Sequence, residues 1–206
     1  MIRYVLIGSS LALAAALQPG PLQVFYFSKV AEVGWKRTLP AALAPLISDG
    51  PIAALALLVL GEIPPGARYV LQTGGGVLLL IYAASTYRSW REGEASSSSP
   101  SSAPRNLLQA ALVNLLNPNP YLAWSLVMGP AVLNAWSTKP LYGAALVLTF
   151  YLVMIGTSMA LIILLGATTY LKPSVRRSLL LVSTLLLAGL GGYYLTAGAR
   201  GLAAAL

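Results

Sequence analysis

Residues 141–165 read LYGAALVLTFYLVMIGTSMALIILL, a run of 25 residues without one charged side chain. A helix that crosses a bilayer needs about 20 consecutive apolar residues. Five further apolar runs lie around it, at 4–27, 40–61, 69–87, 107–133 and 179–199. Because lipid cannot satisfy open strand edges, we interpret all six runs as helices. The sequence therefore predicts an all-α integral membrane protein with about six transmembrane helices.

Composition agrees with this class. Hydrophobic residues make up 57% of the chain and charged residues only 9%, whereas soluble proteins are about a quarter charged. The chain has no Cys and no His, which argues against disulfide frameworks, thiol redox centres and the commonest metal and general-base chemistries. We therefore expect no enzyme activity, no cofactor and no metal. Despite the net charge of +8 we expect no nucleic-acid partner, because the basic residues lie between apolar runs.

The basic residues also predict an orientation. The connections after the first, third and fifth helices hold nine of them: Lys29, Lys36, Arg37, Arg88, Arg91, Arg105, Lys172, Arg176 and Arg177. The opposite side holds four: Arg3, Arg68, Lys139 and Arg200. The positive-inside rule places the nine in the cytoplasm and both termini outside. A cleavable signal peptide ending near Ala14–Ala16 is an alternative for the first run, but its apolar character continues to Phe27.

The chain divides into two similar halves. A Ser/Pro-rich linker at 95–104 separates residues 1–94 from residues 105–206. The first helix of each half carries a proline pair, Pro19/Pro21 in one and Pro118/Pro120 in the other. With three helices per half, the second half enters the membrane upside down. This predicts two inverted three-helix repeats with proline-broken first helices, as in secondary transporters.

The two breaks are the predicted substrate site. Proline removes a backbone donor and clashes with the preceding turn, so freed backbone groups must find partners in protein, water or a ligand. The positive start of a half-helix suits a substrate carboxylate. The candidate binding residues are Gln18, Pro19, Gly20, Pro21, Gln23, Asn114, Asn117, Pro118 and Asn119. Alternatively, the prolines kink helices for packing and the amides join neighbouring helices.

Asp49 is predicted to be the only ionisable side chain well inside a span, with no Lys or Arg at that depth. Acids in membranes are costly and often mark ion paths. We predict that Asp49 couples transport to protons or binds a substrate cation. The alternative is a structural acid that caps a broken helix end. Gly74–Gly76 and the glycines at 189, 191 and 192 are expected to allow close helix packing.

These residues resemble a known family. Pro19-Gly20-Pro21 resembles a hallmark of the lysine exporter / homoserine-threonine resistance (LysE/RhtB) type of amino-acid translocators. Lys36-Arg37 and Asp49 fall where that family has its basic turn and intramembrane acid, and residues 112–118 are close to its fourth-helix motif. The resemblance implies a small exporter of amino acids or related metabolites in the inner (plasma) membrane, driven by an ion gradient.

The leading hypothesis is therefore a multi-pass secondary transporter for efflux of amino acids or similar solutes, which gives both broken helices and the single acid a use. Its expected partners are a small-molecule substrate and the lipid bilayer, and a homodimer is left open. A transporter of inorganic ions or another small solute is an alternative. A non-transporting membrane adaptor is a further one, but it leaves the matched breaks and the buried acid unexplained.

Overall fold

The computed structural model describes residues 1–18, 20–58, 65–92, 102–169 and 173–205. Within these ranges every regular element is helical, which confirms the predicted all-α class. The helices are, in chain order, α1 (Ile2–Leu17), α2 (Pro21–Val33), α3 (Trp35–Thr38), α4 (Ala44–Leu58), α5 (Pro65–Glu92), α6 (Ala103–Leu115), α7 (Pro118–Ala123), α8 (Gly129–Thr138), α9 (Pro140–Thr169) and α10 (Pro173–Ala205). A 3₁₀ segment, Leu39–Leu43, joins α3 to α4, and a π-helical turn, Trp124–Met128, joins α7 to α8.

Several helices are long and apolar enough to cross a bilayer. Four qualify by themselves: Trp35–Ala56, Tyr69–Arg91, Pro140–Ala167 and Arg177–Ala204. α1 and α2 make a fifth when they are taken as one span bent by 59°. The predicted fourth helix, 107–133, is divided among α6, α7 and α8, which have 13, 6 and 10 residues. The described part of the chain thus holds four or five candidate spans.

Two predicted connections, 29–38 and 95–104, differ from the structure or lie largely outside the described residues. The predicted basic connection at 29–38 is mostly helical, because α2 continues to Val33 and α3 begins at Trp35. Gly34 between them has φ 84°, a left-handed conformation that favours glycine. Most of the predicted linker, 95–104, lies outside the described residues, and its last two residues already belong to α6.

The predicted basic connection begins at Lys29, but α2 extends to Val33, so Lys29 and Glu32 belong to the last turns of a helix. Lys29 and Glu32 lie one turn apart in α2, and both side chains are only 8% exposed. Lys29 Nζ is 2.7 Å from Glu32 Oε2. Because each charge is balanced by the other, the pair can be buried where its residue types alone predict a solvated connection.

α5 and α10 pack antiparallel along their length. Gly76 in α5 meets Gly191 and Leu195 of α10, while Tyr69, earlier in α5, meets Gly198 and Gly201, later in α10. A Cβ added at Gly76 would lie 2.5 Å from Leu195 N, which real Cβ atoms do not do. The close packing expected of these glycines is confirmed at Gly76 and Gly191.

Two other pairs run parallel and cross between the predicted halves. α1 lies along α9: the Tyr4 and Tyr142 rings stack at 5.3 Å, and Gly8 further on approaches Leu146. The segment 35–58 lies along α6, since Asn106 Nδ2 donates to Arg37 O (2.9 Å) and Asn114, two turns later, reaches Asp49. Each predicted half therefore packs its first helix against the second helical segment of the other.

The buried core has two parts that meet at the break between α1 and α2. One cluster surrounds α2 and includes Phe25, Tyr26 and Leu79, all 2% exposed or less. The other contains Ala12 and Ala16 of α1 with residues of α4, α7, α8 and α9. The break thus lies between two packed regions, where polar groups from several elements can converge.

Candidate functional site

The first break is closed by one glutamine. α1 ends at Leu17, and α2 begins at Pro21 with Gly20 as its N-cap. Gln23 Nε2 donates to Ala15 O (3.3 Å) and Ala16 O (3.0 Å), so its amide satisfies carbonyls that the end of α1 leaves without helical partners. Gln23, predicted as a substrate ligand, therefore already holds the two half-helices together. Pro19 lies outside the described residues.

The second break is closed by an asparagine and two tyrosines. α6 ends at Leu115, and α7 begins at Pro118, where a missing N–H costs no helical bond. Asn117 is the N-cap: its Oδ1 accepts from Asn119 N at 3.1 Å. Tyr121 OH donates to Leu115 O (2.9 Å), and Tyr194 OH donates to Asn117 Oδ1 (3.4 Å). Side-chain hydrogen bonds therefore satisfy or hold backbone and cap groups at the interruption between α6 and α7.

Asp49 lies in α4, buried to 3% exposure. Asn114 Nδ2 donates to Asp49 Oδ1 (3.0 Å) and to Ser48 Oγ (2.8 Å). Tyr151 OH of α9 donates to Asp49 Oδ2 at 3.3 Å, and the Trp124 side chain borders the same carboxylate. The carboxylate therefore joins α4, α6 and α9, and every side chain that hydrogen-bonds to it among the described residues is neutral.

One cavity of about 210 Å³ brings most of the predicted residues together. Those that line it are Gln18, Gly20, Gln23, Asp49, Asn114, Asn117 and Asn119. Pro21 borders a separate narrow crevice, which Asn117 also lines, and Pro118 is buried at the start of α7. Residues from both breaks and the buried acid thus share one space, although they are as far apart in sequence as Gln18 and Asn119.

Sequence reasoning missed several residues of this site. Ser48, Trp124 and Tyr151 contact or border the acid, and Ser158 lines the cavity. A signal for α9 was present: Phe150, Met154 and Ser158 recur at four-residue intervals, so they lie on one helix face. Tyr151 and Ser158 also carry hydroxyl groups in a largely apolar helix. Trp124 had no such signal, because aromatic residues are common in membrane helices.

The arrangement suits reversible binding of a small cation-bearing solute. It offers a carboxylate held by neutral donors, side-chain amides, and the start of a 13-residue helix, α2, at a cavity wall. Among the described residues, no group of three or more His, Cys, Asp or Glu side chains is placed to hold a metal ion.

Residues 13–198 match the LysE type translocator family. The matched range includes both helix breaks and Asp49. No curated protein and no solved structure matches the chain.

Proposed function

Because the chain belongs to the LysE type translocator family, we propose that it is a secondary transporter that exports amino acids or related small metabolites across the cell membrane, coupled to protons. Membership of a translocator family and several long apolar helices make it a multi-pass membrane protein that moves small solutes. The amino-acid substrate, the outward direction, the proton coupling and the cell membrane as its location are the proposed parts.

The observation that carries the proposal is the buried carboxylate at the edge of a cavity. Asp49 lies where residues from both helix breaks converge, and its oxygens accept from Asn114 and Tyr151. An acid at membrane depth that only caps a helix would have no reason to border a space open to a solute. We propose that Asp49 takes a proton or the substrate ammonium group, and that Gln18, Asn119 and the start of α2 receive the carboxylate.

The proposed architecture is six spans as two inverted repeats, with α6, α7 and α8 together as the fourth span. Three helix pairs support it. α5 and α10, the third helices of the two halves, are antiparallel. α1 runs parallel to α9, and the segment 35–58 runs parallel to α6. A two-fold axis in the membrane plane would exchange the last two pairs, which is the symmetry that alternating access uses.

Flux measurements in proteoliposomes test the function. Vesicles that contain the purified chain should exchange amino acids in a protein-dependent manner, and an imposed proton gradient should drive uphill movement. Exchange of inorganic cations alone would contradict the amino-acid substrate. Vesicles with folded protein and no flux of any solute would favour the adaptor instead.

Labelling of introduced cysteines tests the orientation, because the chain has no Cys of its own. With the termini outside and the linker in the cytoplasm, an impermeant thiol reagent should label Ala205→Cys in intact cells and spare Ser98→Cys. The reverse pattern would contradict the proposed orientation without affecting the proposed transport.

A further inference from the structure

The charge of the cavity restricts what it can hold. Asp49 carries the one formal charge among the described residues that line it, since none of them is Lys, Arg or Glu. Its oxygens accept from the neutral side chains of Asn114 and Tyr151. A ligand with one ammonium group would balance this charge, whereas a second ammonium group on the ligand would find no partner.

Most of the remaining wall is apolar. Apolar side chains from α1, α2, the π-helical turn and α9 line it, among them Leu11, Leu22, Val127, Met128, Phe150 and Met154. A charged side-chain terminus that lay against this wall would lose its hydration without gaining a hydrogen bond, which is strongly unfavourable. An aliphatic side chain would instead be transferred from water to hydrocarbon, which is favourable.

The polar part of the cavity suits a carboxylate. The side chains of Gln18 and Asn119 line it, as does Gly20, the N-cap of α2. Amide N–H groups and the partial positive charge at the start of a helix both stabilise an anion. An ammonium group at Asp49 and a carboxylate at this end would orient an amino acid across the cavity.

Size sets a further limit. The cavity of about 210 Å³ is smaller than the roughly 300–1,000 Å³ of sites for drug-sized ligands. It therefore fits a solute of few heavy atoms better than a peptide or a nucleotide.

We infer that the substrate is a monoamino, monocarboxylic acid with an apolar side chain, and that dibasic and acidic amino acids are poor substrates. This inference rests on the proposed function and narrows it. Each part of the inferred substrate rests on a separate observation. Asp49 can balance one ammonium group, the side-chain amides and the start of α2 can bind one carboxylate, and the apolar wall can contact the side chain.

Homoexchange in proteoliposomes tests it. Vesicles loaded with radiolabelled leucine, methionine, lysine or glutamate would each face the same unlabelled amino acid outside. Leucine and methionine should exchange about tenfold faster or more than lysine and glutamate, because an unpaired buried charge is penalised at least that strongly. Lysine or glutamate exchange as fast as that of leucine would overturn the inference and leave amino-acid transport standing. No exchange of any of the four, with folded protein in the vesicles, would also overturn the inference, and only absence of flux for every solute of a wider panel would overturn the proposed function.

A designed second acid gives an independent test. Met154 lines the apolar wall, and Met154→Glu would place a carboxylate there. The variant should gain lysine exchange at least severalfold and lose leucine exchange, whereas Met154→Gln, of the same length and neutral, should not gain lysine exchange. Equal lysine exchange by the two variants would show that charge balance does not select the substrate.

Discussion

Glu32 and Asp49 are both buried carboxylates, yet the two are held in opposite ways. Glu32 accepts from Lys29 Nζ (2.7 Å), Thr86 Oγ1 (2.8 Å) and Ser28 Oγ (3.2 Å). We call this group the α2–α5 ion pair cluster: Ser28, Lys29, Glu32 and Thr86. Asp49 accepts from the neutral side chains of Asn114 and Tyr151, and it borders a cavity of about 210 Å³ that no member of the cluster lines.

The difference separates a structural group from a candidate binding group. In the α2–α5 ion pair cluster the formal charges sum to zero, and Lys29 also lies over the Phe25 and Tyr82 rings, 5.8 and 5.9 Å from their centroids. The cluster therefore has no net charge for a ligand to balance. At Asp49 a formal negative charge faces a space, so a cation that enters supplies the charge that the neutral donors do not. If the two carboxylates divide their roles in this way, substitutions at each should affect different properties of the protein.

Replacement of each acid by its amide should affect a different property: transport for Asp49 and the yield of folded protein for Glu32. Asp49→Asn keeps the shape and an oxygen for Asn114 but removes the charge, so we expect normal insertion and complete loss of gradient-driven export. Glu32→Gln leaves Lys29 without its counter-charge, so we expect less folded protein, with normal uphill export for each folded molecule. The measurement is uphill flux in proteoliposomes, divided by the amount of folded protein from size-exclusion chromatography.

Substrate exchange measured without a proton gradient distinguishes the two roles proposed for Asp49. If the acid only carries the proton, Asp49→Asn should still exchange substrate; if it holds the ammonium group, exchange should fail too. Normal uphill export by a well-expressed Asp49→Asn variant would show that Asp49 is a structural residue like Glu32, and the proposed difference between the two carboxylates would be wrong.

Removal of one partner from the ion pair should be worse than removal of both. Lys29→Met removes the cation of the buried pair that it forms with Glu32, and breaking such pairs costs about 3–5 kcal/mol. Lys29→Met combined with Glu32→Leu removes both charges, and similar replacements elsewhere are nearly neutral. Thermal inactivation in detergent should therefore rank the wild type and the double variant well above Lys29→Met. A double variant as unstable as the single one would assign the cluster a role beyond charge balance.

The surroundings of Asp49 could be predicted in part from the sequence, whereas the α2–α5 ion pair cluster could not. Asp49 could be found because an acid in an apolar run is unusual, and the proline pairs marked both breaks. Lys29 and Glu32 could not, since they stand where α2 meets a basic stretch and resemble a solvated connection; only the tertiary structure shows that each balances the other. The partners of Asp49 were partly accessible: Asn114 was a candidate, but as a substrate ligand rather than as a donor to the acid. Six spans could be counted by hydropathy, whereas the division of the fourth into α6, α7 and α8 depends on the cap at Asn117 and on the π-helical turn Trp124–Met128, which hydropathy does not indicate.

The threonine of the cluster should matter for stability and not for transport. Thr86, fully buried in α5, donates to Glu32 Oε1 and lies 2.6 Å from Ser28 Oγ. Thr86→Ala removes a hydroxyl from buried partners, and such losses cost about 1–3 kcal/mol. Thr86→Ser keeps the hydroxyl and should retain most of the stability. We expect the melting temperatures in detergent to follow the order wild type, Thr86→Ser, Thr86→Ala, with the same substrate KM in all three. A changed KM in Thr86→Ala alone would connect this cluster to the cavity.

The smallest effect is expected where a neutral donor is removed from Asp49. Tyr151 OH donates to Asp49 Oδ2 at 3.3 Å, a long hydrogen bond, and Tyr151→Phe deletes it while the ring stays in place. A hydrogen bond to a charged group contributes about 1.5–3 kcal/mol, and the length of this one favours the lower end, so substrate KM should change by about tenfold or less. Tyr142→Phe is the matched control, because Tyr142 lies on the same helix and stacks on Tyr4 away from the acid. Since Tyr151 orients a carboxylate that a cation is proposed to contact, Tyr151→Phe should alter KM in addition to a modest loss of thermal stability, whereas Tyr142→Phe should leave KM unchanged. If Tyr151→Phe instead lowers stability as Thr86→Ala does and leaves KM unchanged, the hydroxyl belongs to the structure of the core, and the two carboxylates are held for the same purpose.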